Sequence, residues 1–371
     1  MIKDKAINLF LCGDVMTGRG IDQILPHPGN ALLYEPYVRD ARDYVQLAEM
    51  RHGPIAKPLN FDYIWGDALE QLERAETDVR IINLETSITS SQDYWPNKEV
   101  LYRMHPRNIG CITTARIDCC CLANNHLLDW GYSGLAETLQ TLDAAGVARA
   151  GAGENIAAAE DPAALDVAGK GRVLVFSLGS ITSGIPHKWG ATEDQPGVNL
   201  LEDLSERTAR RIAGQMLNFK LPGDVTVASI HWGSNWGYSI PEAQIHFEHR
   251  LIEEGVSIVH GHSSHHVKAI EVYRGRPILY GCGDFLTDYE GIGGYEKFRG
   301  DLAVMWLATL HAQQNRLLGL RLVPLKARRF RLIRASTSDA TWLRDLLNTI
   351  GTPFGTQVEL KDDNSLILRW H

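Results

Sequence analysis

Six times along this chain a short apolar run stops at a cluster of glycine, histidine, amide or acid side chains. Residues 7–12 stop at Gly13-Asp14, residues 79–82 at Asn83-Leu84-Glu85, and residues 117–122 at Asn124-Asn125-His126. Residues 225–230 stop at His231-Trp232-Gly233, residues 256–259 at His260-Gly261-His262, and residues 278–280 at Gly281-Cys282-Gly283-Asp284. Runs this short and this continuously apolar suit strands buried on both faces. Between them lie stretches with helical spacing, at 61–74, 133–145, 204–219 and 242–254. Strand, polar tip, helix, strand is the rhythm of an α/β protein. Ligands of such sheets sit at the C-terminal ends of the strands, where all six clusters fall.

Past residue 301 the pattern changes. Residues 302–310, 317–323 and 329–333 have strand character without chemistry at their tips. Residues 340–350 read as a helix and 357–370 as a closing hairpin. The expectation is a catalytic domain over 1–325, carrying a second sheet, and a C-terminal annex over 326–371. An insertion at 30–60, with prolines at 36, 54 and 58, is longer than a plain connection needs and reads as a lid.

Lys and Arg total 37 against 45 Asp and Glu, a formal net charge of −8. That balance argues against a nucleic-acid partner. The six cysteines form no Cys-x-x-Cys pair, and three are consecutive in an apolar run, so they read as reduced core residues. No apolar stretch reaches the roughly 18–20 residues of a membrane span. The opening apolar run, residues 6–12, reads as the first strand rather than a secretion signal. The expected location is cytoplasmic.

Histidine carries the chemical signal. His260, His262, His265 and His266 fall within seven positions after a strand, too many to be placed as core. Neutral imidazole binds divalent transition metals well, and metal ligation is the natural use of such a cluster. His231 gains credibility as a ligand beside it. Asp14 and Glu85 offer carboxylates, Asn125 an amide oxygen. Arg19, among glycines after Asp14, suits a clamp for a carboxylate or phosphate. Asp129, three residues past His126, is placed to orient that imidazole. No Gly-x-Ser-x-Gly elbow, His-Glu-x-x-His helix or Walker loop is present.

Gly-Asp-Val-Met, Asn-Leu-Glu-Thr, Ala-Asn-Asn-His, His-Trp-Gly, Gly-His-x-x-His and Gly-Asp-Phe occur in that order over residues 7–290. This series resembles the CapA family, named for poly-γ-glutamate capsule synthesis, within the calcineurin-like metallophosphoesterase superfamily. The resemblance implies a four-layer αββα sandwich of two mixed β-sheets. It implies metal ligation by Asp14, Glu85, Asn125, His231, His262 and His265, with His126 as acid or base. Two departures stand out. Met16 replaces the histidine of the superfamily's Asp-x-His motif, which leaves one of two metal positions short of a ligand. Gly-His-Ser-Ser-His is one residue longer than the phosphatases' Gly-His-x-His.

The expected cofactor is a divalent metal, Mn²⁺ first, with Zn²⁺, Fe²⁺ or Ca²⁺ also suited. The expected activity is hydrolysis of a phosphoester or of a peptide or γ-glutamyl amide bond. A second reading is a peptide epimerase of the lasso-peptide type, exchanging an α-proton between His126 and either His260 or His266. A third is a non-catalytic polyglutamate- or peptide-binding accessory protein.

Overall fold

The computed structural model describes residues 6–371. The strand Ala6–Val15 is the axis of a ten-stranded sheet. On one side it pairs in parallel with Val79–Leu84, followed by Cys119–Cys121 and Ala148–Ala150. On the other it pairs antiparallel with Leu302–His311, followed by Arg316–Arg328 and the hairpin of Thr356–Leu360 and Leu366–Trp370. Near its C-terminal end the antiparallel partner is replaced by Asp284–Leu286, which runs parallel and sets Asp284 opposite Asp14.

The second sheet has seven strands. Gly171–Ser180, Val225–His231, Ile258–His262 and Arg276–Leu279 run parallel at its centre. Its ladder sets His231 opposite His262.

Alternation along the first strand builds the layers. Ile7, Leu9 and Leu11 face the second sheet and join Val173, Val175, Val225 and Val227 in one apolar cluster. Phe10 and Cys12 point the other way, against Ile64, Trp65, Ala68 and Leu72. The outer face of the second sheet, Leu174, Phe176 and Leu178, is covered by Ala209, Ile212, Met216, Phe247 and Leu251. These come from the helices Glu206–Phe219 and Glu242–Glu253. Helix, sheet, sheet, helix is the expected four-layer sandwich. All six cysteines are buried and free, as core residues should be.

Three differences from the sequence reading have physical causes. Residues 302–311 and 316–328 extend the first sheet rather than the second, because pairing partners are a long-range choice that no local pattern encodes. Gly171–Ser180 is a central strand without polar chemistry at its tip, so the feature that marked the others is missing. The helix expected over 61–74 begins only at Asp67, because Gly66 takes φ +47° and a Cβ there would lie 2.2 Å from the Leu332 carbonyl oxygen. The insertion carries a helix of its own, Arg42–His52, and Val45, Ala48 and Ile55 are part of the helix-side core.

The strand tips crowd each other where they meet. A Cβ on Gly13 would lie 1.6 Å from the Gly283 carbonyl oxygen, which accepts the Asp14 amide at 3.0 Å. Gly13→Ala should therefore force these two strands apart. The expected cost is about 1–3 kcal/mol or more, read as a lower urea midpoint at an unchanged m-value.

Candidate metal centre

The parallel strands of both sheets end at one edge, and the polar tips meet there. Asp14 and Glu85 come from the first sheet, His231 and His262 from the second, and all four are buried. Asp14, His231 and His262 bring one ligand atom each to within 4.8 Å of one another. Asp14 Oδ1 stands 3.9 Å from His231 Nδ1 and 3.7 Å from His262 Nδ1, and the two Nδ1 atoms are 2.9 Å apart.

The state of these nitrogens follows from their outer partners. His260 Nε2 lies 2.8 Å from the Cys12 carbonyl oxygen, which only accepts, so Nε2 carries the proton. Burial pushes the His260 pKa down to about 4, so the ring is neutral and its Nδ1 is bare. Ser229 Oγ, 3.1 Å away, donates its hydrogen to that Nδ1. The same Oγ then accepts from His262 Nε2 at 2.9 Å, leaving His262 Nδ1 as a lone pair. His231 Nε2 donates to Asn125 Oδ1 at 2.8 Å, which leaves its Nδ1 unprotonated as well, with the Asn83 side-chain amide 3.4 Å from it. Burial holds both pKa values well below that of free imidazole. Two lone pairs at 2.9 Å beside a carboxylate oxygen repel each other unless a cation lies between them.

The carboxylates point the same way. Glu85 Oε2 is buried without a hydrogen-bond partner. Burial, then the charge of Asp284, pushes the Asp14 carboxyl up to about 7. Burial, then Asp14 and Asp284, raises Glu85 well above the usual carboxylate range. Asn83 Nδ2 donates to Asp14 Oδ1 at 2.7 Å and the Ser263 amide to Oδ2 at 3.1 Å, which orients the carboxylate. The donor set and its orphaned oxygen fit a divalent transition metal.

His126 sits beside this group. Its Nε2 is 3.6 Å from Glu85 Oε1, and its Nδ1 is 2.7 Å from Asp129 Oδ2, the orienting contact that the sequence spacing suggested. Burial pushes its pKa down to about 4. Lys98 adds a contact that no motif announces. Its ammonium reaches His126 Nδ1 at 2.9 Å, Asp129 Oδ1 at 2.7 Å and the Val100 carbonyl at 2.8 Å.

Several expected roles change. Asn125 spends its oxygen on His231, so as it stands it orients a candidate ligand instead of being one. His260 is a buried relay to His262, not a free base, because both its nitrogens are occupied. His266 is likewise spent: Nδ1 donates to the Val267 carbonyl at 2.9 Å and Nε2 accepts the Gly237 amide at 3.0 Å. Arg19 is no substrate clamp. It is buried and forks onto Asp288 at 2.5 and 3.2 Å, with its remaining donors on Glu35 and Tyr44. That contact ties the 30–60 insertion to the site edge. His265 stands apart from the triad, its Nδ1 2.9 Å from Asp284 Oδ1. A cavity of about 590 Å³ opens there, lined by His265, Asp284, Trp236 and Tyr289, with Arg51 and His52 of the insertion on its wall.

Ser229, Lys98 and Asp284 belong to the candidate site without having been assigned a role from the sequence. Ser229 was findable, because strand alternation puts it on the same face as His231. Asp284 was visible as a strand tip within Gly-Asp-Phe. Removing the Ser229 hydroxyl frees the His262 tautomer. Ser229→Ala should weaken metal binding about 10- to 100-fold with an unchanged circular-dichroism spectrum, as read by calorimetric titration.

The model of the bacterial capsule synthesis protein PGA_cap family matches residues 8–289. A probable polyglutamine synthesis accessory protein of Mycobacterium tuberculosis is 48% identical over 361 residues, 97% of this chain and 95% of that one. The capsule biosynthesis protein CapA of Bacillus anthracis is 24% identical over 327 residues, 87% of this chain and 68% of that one. Among solved structures, a phosphatase from Mycoplasma pneumoniae superposes with a TM-score of 0.43 at 11% identity, covering 88% of this chain and 96% of that one. Likeness at that level says nothing about activity. Among the described residues no helix is long and apolar enough to cross a membrane. By the extent of the family match and the near full-length relative, this chain belongs to the bacterial capsule synthesis protein PGA_cap family.

Proposed function

We propose that the protein is a metal-dependent hydrolase of a peptide or γ-glutamyl amide bond. The observation that carries this reading is the convergence of Asp14, His231 and His262, with the orphaned carboxylate of Glu85 and the ring of His126 beside them. Asp14, His231 and His262 would hold the ion, with Glu85 turned toward it. Bound there, a divalent ion supplies Lewis acidity, lowering the pKa of water and polarising a carbonyl or phosphoryl oxygen. Two imidazoles favour Mn²⁺, Fe²⁺ or Zn²⁺ over Ca²⁺, which takes oxygen ligands.

The chain's own groups do the rest. Asp129 and Lys98 hold His126 so that Nε2 faces the carboxylates, placed to exchange a proton with the reacting group. The cavity beside His265 is the substrate's way in. The family and the names of its relatives, in polyglutamine synthesis and capsule biosynthesis, favour an amide bond of a glutamyl chain over a phosphoester. Arg19, the one expected phosphate clamp, is already neutralised by Asp288 and Glu35. The epimerase reading needs a second base facing His126, and the two histidines assigned to it are spent on internal hydrogen bonds.

Peptide, γ-glutamyl and phosphoester panels in D₂O, with and without Mn²⁺, test this by mass spectrometry. Metal-dependent cleavage of an amide is expected, abolished in His231→Ala and reduced about 10²- to 10⁴-fold in His126→Ala. A one-dalton gain without cleavage would transfer the protein to the epimerases. No turnover of any panel would leave the accessory role.

Metal affinity should also depend on pH in one direction. The imidazoles are neutral at pH 7, so the proton that competes with metal sits on a carboxyl. Asp14, raised from 3.8 to about 7, must lose it on binding. Affinity rises as pH climbs through about 7, and protons are released below that point. In the metal-free protein the sign is reversed for stability. A raised acid contributes stability that is lost as pH rises from its unfolded value through about 7. Calorimetry in two buffers and melting curves across this range check both statements.

A further inference from the structure

Tyr289 joins the candidate site to the open cavity. It is half-buried and lines that cavity, and its ring stands edge-on to His265 at 5.4 Å. Its hydroxyl turns inward and donates to the Met16 sulfur at 3.6 Å. Met16 is fully buried, two residues after Asp14. A thioether is only a weak acceptor. The phenol hydrogen is therefore close to unspent, at the edge where the carboxylates gather.

Behind this hydroxyl lie a second phenol and a cation. Tyr102 is 0% exposed, and its Oη has no hydrogen-bond partner. Its ring stands edge-on to His126 at 4.6 Å. The Arg19 guanidinium lies 4.3 Å from the centre of the Tyr102 ring and 5.8 Å from that of Tyr289. Burial, then Asp284, holds the Tyr289 phenol well above its ordinary value, while Arg19 and then Tyr102 act against that rise. The phenol thus keeps its proton at neutral pH. A Tyr102 hydroxyl aimed at the Tyr289 oxygen pulls in the second direction, and the same pull strengthens Tyr289 as a donor.

An uncharged donor with a poor acceptor, facing a cavity beside the candidate acid or base His126, suits an oxygen that gains charge during reaction. We propose that Tyr289 is a catalytic residue, whose hydroxyl leaves Met16 to donate to the carbonyl oxygen of the scissile amide, and that Tyr102 positions it. This rests on the reading of the protein as an amide hydrolase. As water adds to the amide carbon, the carbonyl electron pair moves onto oxygen, where the Tyr289 hydrogen meets it. The pair returns as the C–N bond breaks. The proton of the water passes through His126 to the leaving nitrogen, and the phenol proton stays on Tyr289. An imidazole in place of the Met16 thioether would hold that hydrogen back.

The experiment compares wild type with Tyr289→Phe on a γ-glutamyl peptide with Mn²⁺. Both are also titrated calorimetrically with a phosphinic analogue of that peptide, whose tetrahedral phosphorus carries the charged oxygen. Tyr289→Phe is expected to lower kcat about 10²- to 10³-fold at an unchanged KM. Phosphinate binding is expected to weaken by a matching factor, with metal content at the wild-type value. Tyr102→Phe is expected to give a smaller loss of both, again at unchanged KM. Wild-type kcat and phosphinate affinity in Tyr289→Phe overturn the proposal and leave the hydrolase reading standing. A raised KM at unchanged kcat, or loss of bound metal, overturns it as well. No amide cleavage by the wild type overturns the hydrolase reading and this inference with it. Should Tyr289→Phe fail to fold by circular dichroism, Tyr102→Phe carries the test, and wild-type kcat and phosphinate affinity there overturn the proposal.

Discussion

Three carboxylates and two neutral imidazoles, all removed from water, meet at one edge of this protein, and the surrounding structure is organised around that unfavourable encounter. Removing an ionised carboxylate from water costs roughly several kcal/mol even after relaxation. Here the penalty is not met by the nearby cations, since Arg19 and Lys98 are held by other acids. The consequence is visible in the protonation: burial and mutual repulsion lift Asp14 and Glu85 above the usual carboxylate range. A site of this kind is poised to take up positive charge.

The fold makes the encounter possible because two sheets present their parallel strand ends at the same edge. Apolar packing between Ile7, Leu9 and Leu11 and the valines of the second sheet sets the distance between those ends. Close backbone approach at Gly13 and Gly283 then brings Asp284 level with Asp14. The packing that stabilises the domain is thus also what brings the candidate ligands into range. A change deep in the inter-sheet core is expected to reach the site through the strand positions.

Around the candidate ligands stands a shell of hydrogen bonds that assigns each proton. The chain from the Cys12 carbonyl through His260, Ser229 and His262 has one consistent direction, because a carbonyl can only accept. His231 is fixed in the same sense by Asn125. The long insertion enters this order through Glu35 and Tyr44, which it lends to Arg19. The insertion is thereby a wall of the cavity, anchored at its base, with Arg51 and His52 in the lining.

Local pattern alone determined the strand–tip–helix rhythm, the α/β class, the reduced core cysteines and most of the polar residues that gather at the candidate site. Those features depend on periodicity and residue type, which are written locally. What each histidine does was decided only by the tertiary structure. His260 and His262 share one strand face and look alike in sequence, yet one lies against a backbone carbonyl of the neighbouring sheet and the other against the carboxylate of Asp14. Arg19 reads as a clamp until Asp288, 269 positions away, is folded onto it. The antiparallel strands past residue 301 could belong to either sheet until pairing placed them beside Ala6–Val15. In each case the deciding partner is distant in the chain, and a hydrogen bond depends on where atoms stand, which sequence spacing does not encode.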